Sequence, residues 1–238
     1  MTKLKNKVAY ITGGTKGIGL GIAKELIKLG MRVAISGRNY ADVNVVAKQL
    51  GEVDDRVLPL ESDVRNIEDE KKAVQTIIDK WGRLDVLIAN AGLGKFAPIS
   101  EMSIEDWNST IDTNLTGVFH SVKASVEDIK KSKGYIITIA SLAGTNFFAR
   151  GAAYNASKFG LVGFSQAIML DLRQDDVKVS TIMPGSVATH FNNNEPGEKD
   201  AWKIQPEDVG QLVADLLKMH PRTLPSKVEV RPSKPPKN

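Results

Sequence analysis

The stretch Val8-Ala9-Tyr10-Ile11-Thr12-Gly13-Gly14-Thr15-Lys16-Gly17-Ile18-Gly19 decides the fold. A short apolar run reads as a strand, a glycine cluster breaks it, and Ile18, Ile22, Leu26 and Leu29 then recur with helical spacing. Strand, glycine turn and helix form the opening of a βα unit.

Outward from that unit the same alternation repeats. Further strands are expected at Arg32–Ser36, Arg56–Glu61, Leu84–Ala89, Tyr135–Ala140, Lys178–Ile182 and Lys227–Arg231, after a first at Val8–Thr12. Helical stripes run through Leu115, Val118, Phe119, Val122, Val126 and Ile129, through Leu161, Phe164, Ile168 and Leu172, and through Val209, Leu212, Val213, Leu216 and Leu217. Such alternation predicts an α/β fold, a doubly wound parallel sheet covered by helices on both faces. The central runs Val86-Leu87-Ile88-Ala89 and Ile136-Ile137 are apolar without alternation, as strands buried on both faces should be. Pro59 marks the third strand as an edge, and Lys227-Val228-Glu229-Val230-Arg231 alternates charge with valine as the other. A seven-stranded Rossmann-type sheet in the order 3-2-1-4-5-6-7 puts both at the rims.

Composition narrows the class. The chain has 238 residues, 42% hydrophobic and 25% charged, with no cysteine and three histidines in no metal-ligand spacing. A disulfide scaffold, a cysteine nucleophile and a metal site are not expected. No apolar run approaches the roughly 18 residues of a membrane span. The formal charge of +4 is concentrated in a tail containing Arg231, Lys234 and Lys237; without them it falls to +1, so no nucleic-acid-binding face is expected. Residues 1–231 read as one soluble cytoplasmic unit, and 232–238 as an extended, basic, proline-rich tail.

Glycines between a strand and a helix let backbone N–H groups approach a pyrophosphate at the helix N-terminus. The second strand ends Ser36-Gly37-Arg38-Asn39, with glycine where an acid would bind a ribose 2′-OH. Lys16 and Arg38 supply cations instead, which favours a 2′-phosphate and therefore NADP(H); a solvated loop cation is the ordinary alternative for Arg38. Tyr154 and Lys158 lie four apart, on one face of a helix. An ammonium beside a phenol lowers its pKa and makes it a better acid near neutrality. Ser141 follows the fifth strand, at the edge where ligands bind in open α/β sheets.

Taken together these residues resemble the short-chain dehydrogenase/reductase family over nearly the whole chain. Thr12-Gly13-x-x-x-Gly17-x-Gly19 is similar to the family's nucleotide turn, which also brings Thr15, Lys16 and Ile18 to the cofactor. Asp63-Val64 resembles the pair that contacts adenine, with an Asx turn as the alternative for Asp63. Asn90-Ala91-Gly92 resembles the motif after the fourth strand, with Ala89 in place of its first Asn. Asn114, Ser141, Tyr154 and Lys158 fall on the catalytic tetrad, and Pro184-Gly185-x-Val187-x-Thr189 on the segment beside the nicotinamide. The resemblance implies that Tyr154 passes the proton to a carbonyl oxygen and Ser141 orients that oxygen. It implies that Lys158 binds the ribose and tunes Tyr154, and that Asn114 holds a relay water unless it only caps a helix break. It also implies a homo-oligomer, a tetramer or else a dimer.

The expected activity is NADPH-dependent interconversion of a ketone or aldehyde and its alcohol. A 3-oxoacyl thioester reductase is the alternative enzyme, and a non-catalytic NADP-binding sensor the alternative of another class. Leu142, Phe147, Phe148, Gly185, Ser186, His190 and Phe191 are expected around the substrate, with Arg150 as a candidate anion clamp or a solvated loop residue. The polar stretch between Pro184 and Pro206 is short for a lid, which predicts an open pocket.

Overall fold

A computed structural model describes residues 4–51 and 55–236. The strands are β1 Val8–Ile11, β2 Arg32–Gly37, β3 Val57–Glu61, β4 Val86–Ala89, β5 Tyr135–Ile139, β6 Lys178–Pro184 and β7 Lys227–Val230. All pair in parallel, in the order β3-β2-β1-β4-β5-β6-β7. The helices are α1 Gly17–Lys28, α2 Tyr40–Leu50, α3 Ile67–Trp81, α4 Ile104–Ile111, α5 Gly117–Ser132, α6 Ala152–Leu172 and α7 Pro206–Lys218.

The pleat sorts the apolar strands into two cores. Val8 and Tyr10 of β1, with Leu87 and Ala89 of β4, pack under α3, α5 and α6. Ala9 and Ile11, with Val86 and Ile88, pack under α1, α2 and α7. Strand edges follow the expectation: among the described residues β3 pairs only with β2, and β7 keeps Lys227 and Glu229 exposed.

Two local departures matter for the site. Between α4 and α5 the chain widens into one π-helical turn, Asp112–Thr116, which no sequence signal announced. Such turns insert a residue into a helix and cluster at functional positions; here the turn aims Asn114 into the interior. The stretch expected as a short polar lid is a folded segment, with single 3-10 turns at Phe191–Asn193 and Glu198–Asp200. Val187 pairs with Ile204 as an isolated bridge, tying its two ends together. After β7 the tail has no regular structure over the described residues, and Asn238 with Lys237 lies outside them.

Candidate active site

The carboxyl ends of β1, β4, β5 and β6 open onto one cleft, and its floor begins at the glycine turn. Gly13 and Gly17 adopt φ of 64° and 55°, a region that costs any side-chain-bearing residue. A Cβ on Gly17 would sit 3.2 Å from Thr189, so Thr189 closes over the turn. A Cβ on Gly19 would overlap the Gly13 carbonyl. The turn is therefore a bare backbone cradle at the N-terminus of α1, as an anionic pyrophosphate requires.

Asn90 holds this cradle. Its Nδ2 donates to the Thr12 and Gly13 carbonyls at 2.9 and 3.0 Å. The Thr12 hydroxyl in turn accepts from the backbone N–H of Asn90 and Ala91 at 3.0 and 3.1 Å. Thr12 thus joins the glycine turn to the Asn90-Ala91-Gly92 loop.

Beyond the end of β2, Lys16 and Arg38 are exposed, and Thr15 lies against Gly37. Asn39 Oδ1 caps α2, accepting from Ala41 and Asp42 N–H at 2.9 and 3.4 Å. Asp63 forms the Asx turn that was its alternative, accepting from Arg65 N–H at 3.0 Å. Arg65 also grips that carboxylate through its guanidinium, at 3.0 Å from Nε and 2.5 Å from Nη2. Hydrogen bonds from Arg65 hold the Asp63 pKa below the usual carboxylate value, and the Arg38 charge adds to them. Val64 is buried beneath, against Gly117.

Ser141, Tyr154 and Lys158 meet where β5 ends and α6 begins. Ser141 caps a short turn, its Oγ accepting from Ala143 N–H at 3.1 Å, and hydrogen-bonds to the Tyr154 hydroxyl. Lys158 is 5% exposed; its Nζ donates to the Ile139 carbonyl at 3.0 Å and stands 5.8 Å from the centre of the Tyr154 ring. Burial lowers the Lys158 pKa to about 8. Tyr154 departs from the sequence expectation: burial raises its pKa, and the Ser141 hydrogen bond offsets only part of that. Desolvation of the phenol outweighs an ammonium that points at a backbone carbonyl rather than at the phenolic oxygen.

Asn114 uses its whole amide. Oδ1 accepts from Leu93 N–H at 2.8 Å, and Nδ2 donates to Leu93 O at 2.8 Å and to Ser157 Oγ at 3.0 Å. It ties the loop after β4 to α6 beside Lys158.

Around Tyr154 lies a wall of rings. Phe191 stands 5.6 Å from the Tyr154 ring and Phe96 5.4 Å; Phe96 also meets Phe148 at 5.9 Å and Phe191 at 6.4 Å. Leu142 lies against Gly185 at the end of β6. Pro184 ends β6, and Ser186 is exposed while its carbonyl accepts from Ile204. Phe147 and His190 do not join the ring contacts, Phe147 being 85% exposed. Arg150 is exposed with φ of 67°, and its carbonyl accepts from Ala97 N–H at 3.1 Å, stapling two loops.

Sequence reasoning missed Phe96 and Asn155. Asn155 Nδ2 donates to the Ala143 and Asn146 carbonyls, both at 2.8 Å, while Oδ1 accepts from Phe148 N–H at 3.4 Å. One buried amide thereby shapes the loop that carries Phe148. The only signal was its place between Tyr154 and Lys158, on the same first turns of α6.

A parallel sheet of this order, with a glycine cradle at β1 and a Ser-Tyr-Lys group at β5 and α6, defines a nucleotide-dependent oxidoreductase of Rossmann type. The family model for short chain dehydrogenases matches residues 7–200, and the chain belongs to that family. A 3-oxoacyl-[acyl-carrier-protein] reductase of Synechocystis sp. is 35% identical over 227 residues, 91% of each chain. The fold superposes on an alcohol dehydrogenase of Thermococcus sibiricus, solved with 5-hydroxy-NADP, with a TM-score of 0.91 at 27% identity, covering 98% of this chain and 100% of the other. A metagenomic short-chain oxidoreductase solved with NADP gives 0.84 at 32% identity, over 98% and 99%.

Proposed function

We propose that the protein is an NADP(H)-dependent reductase of apolar ketones or aldehydes. The observation that carries this reading is the meeting of Ser141, Tyr154 and Lys158 beside a backbone cradle shaped for a dinucleotide. NADP(H), when bound, supplies or takes up the hydride. Tyr154 passes the proton to the substrate oxygen, and Ser141 holds that oxygen by a hydrogen bond. Lys158 binds the nicotinamide-side ribose, and Asn114 fixes the loop that faces it. Gly13, Thr15, Gly17, Ile18 and Gly19 receive the pyrophosphate. Lys16 and Arg38 take the 2′-phosphate, with Asn39 beside them, and Asp63 and Val64 frame the adenine. Asn90, Ala91, Gly92, Pro184, Gly185, Val187 and Thr189 line the rest of the cofactor. The solved relatives with NADP-type cofactors support this choice.

The rings of Phe96, Phe148 and Phe191 favour an apolar or aromatic substituent on the carbonyl, held by buried area. The Synechocystis relative's name gives weight to a 3-oxoacyl thioester as the second reading. NADPH consumption across aryl ketones, alkyl aldehydes and 3-oxoacyl thioesters decides between them. Turnover confined to the thioesters would replace the first reading with the second. NADPH binding without turnover on any carbonyl would leave a sensor.

The catalytic unit extends through Arg231, and we read it as cytoplasmic, in keeping with a cysteine-free chain. We also read it as a homo-oligomer. Phe119 is half exposed and meets Phe164 at 6.3 Å across α5 and α6, a face that a second copy would cover. Sedimentation as a monomer at micromolar concentration would reject this.

A further inference from the structure

The carboxyl of Glu70 has no part in the chemistry proposed above, yet it lies in the interior. It heads the buried stripe of α3 that continues through Ala73, Val74 and Ile77, and is 0% exposed. Glu70 Oε1 accepts from the Tyr10 hydroxyl at 2.9 Å and from Ser62 Oγ at 2.5 Å. The Tyr10 hydroxyl also lies 3.1 Å from Ser36 Oγ. Glu70 Oε2 has no hydrogen-bond partner.

The two serines lead into the loops at the adenosine end of the cleft. Ser36 precedes Gly37 and Arg38, and its carbonyl accepts from Gly14 N–H at 3.1 Å. Ser62 precedes Asp63 and Val64, and its N–H donates to the Gly37 carbonyl at 3.0 Å. The glycine turn, the β2 loop and the β3 loop are thus laced together by backbone, and one carboxyl holds Ser62 directly and Ser36 through the Tyr10 hydroxyl.

We propose that Glu70, acting through Tyr10, Ser36 and Ser62, is a positioning residue that sets the spacing of the loops holding the adenosine end of the cofactor. This rests on the cofactor reading given above. An ionised carboxylate with one bare oxygen is costly in such a place. Burial pushes the Glu70 pKa up, so the group stays protonated to higher pH than an exposed glutamate. Oε1 takes two hydroxyl hydrogens, and a proton on Oε2 removes the buried charge from the oxygen that has no partner. A carboxyl that merely filled space would be replaceable by leucine, as buried polar groups often are.

The test measures NADPH dissociation constants and steady-state kinetics of the full chain for E70L, E70Q, Y10F and R38A. E70L is expected to raise the NADPH Kd and KM about tenfold, the scale of a misplaced buried hydrogen bond, with kcat at saturation held within about twofold. E70Q keeps an acceptor oxygen toward Tyr10 and Ser62, and is expected to rescue the affinity. Unchanged affinity in a folded E70L, a kcat that falls in step with affinity, or failure of E70Q to rescue would overturn the proposal. Should E70L not fold, Y10F removes a single hydroxyl: a rise of about threefold in NADPH KM supports the brace, and no change overturns it. R38A separates the two layers of argument. If R38A weakens NADPH while E70L and Y10F do not, only the role of Glu70 fails. If R38A also leaves NADPH binding intact, the cofactor reading fails and this proposal falls with it.

Discussion

On the β1–β3 side of the cleft the walls are backbone and charge. Glycines that a Cβ would block, carbonyls pinned by Asn90, and two exposed cations make a surface suited to phosphate. On the β4–β6 side the walls are rings and one amide. Phe96 and Phe191 pack on the Tyr154 ring and Phe148 packs on Phe96, from three different loops, and Asn155 holds one of those loops in shape. A cradle of main chain can accept only a ligand of fixed geometry, whereas a wall of side chains changes with each substitution. On the function proposed above, the first side serves the cofactor's phosphates, and the rings of the second set the substrate.

The sharpest way to break this division is at Tyr154, which belongs to both halves. Tyr154→Phe removes the hydroxyl and little else, and kcat is expected to fall by about a thousandfold. The NADPH dissociation constant, measured by fluorescence titration, should hardly move. A Phe variant with near-normal turnover would show that the proton comes from elsewhere. Asn155→Ala strikes the substrate half alone. Freeing the Ala143 and Asn146 carbonyls and the Phe148 N–H should lower kcat/KM for the carbonyl by roughly tenfold or more, with NADPH affinity retained. Equal losses for substrate and cofactor would erase the division drawn here. Arg38→Ala strikes the other half. It should raise the NADPH KM about tenfold and leave the NADH KM and both kcat values nearly unchanged, because the 2′-phosphate is remote from the reacting carbon.

Legibility in the sequence follows the same line. The cradle was readable because glycines at fixed offsets between a strand and a helix have a local cause, and the strand order because Pro59 and the Lys227–Arg231 alternation mark edges. Ser141, Tyr154 and Lys158 were readable by spacing and position. The rings were only partly so. Phe148 and Phe191 follow strand ends, but Phe96 reaches Tyr154 through a loop whose path depends on the Ala97–Arg150 staple. The π-helical turn at Asn114 leaves no periodic trace in five residues. Glu70 sits in Glu68-Asp69-Glu70, which reads as a solvated helix start. Only its register with Ala73, Val74 and Ile77 hints that it faces inward. The expected lowering of the Tyr154 pKa failed because spacing reports that two groups are near, not which atom each one faces.

A further expected effect is on stability, and it bears on how the two sides are joined at Lys158. Its pKa falls from 10.5 to about 8 through burial. Below pH 8 the folded chain carries a desolvated ammonium that the unfolded chain keeps in water. Between pH 8 and 10.5 the unfolded state binds more protons than the folded one, so stability rises with pH across that window. The gain is at most about 3 kcal/mol. Lys158→Met removes this titration and keeps much of the side-chain volume. The difference in Tm between wild type and the Met variant should shift toward wild type by about 5 °C as pH rises from 7 to 10. Groups that titrate in both chains cancel in that difference. A Tm difference independent of pH would mean that Lys158 keeps an ordinary pKa in the folded chain. The ammonium would then be solvated well enough to act on Tyr154 directly, and the hydrogen bond to Ile139 would not be what holds it.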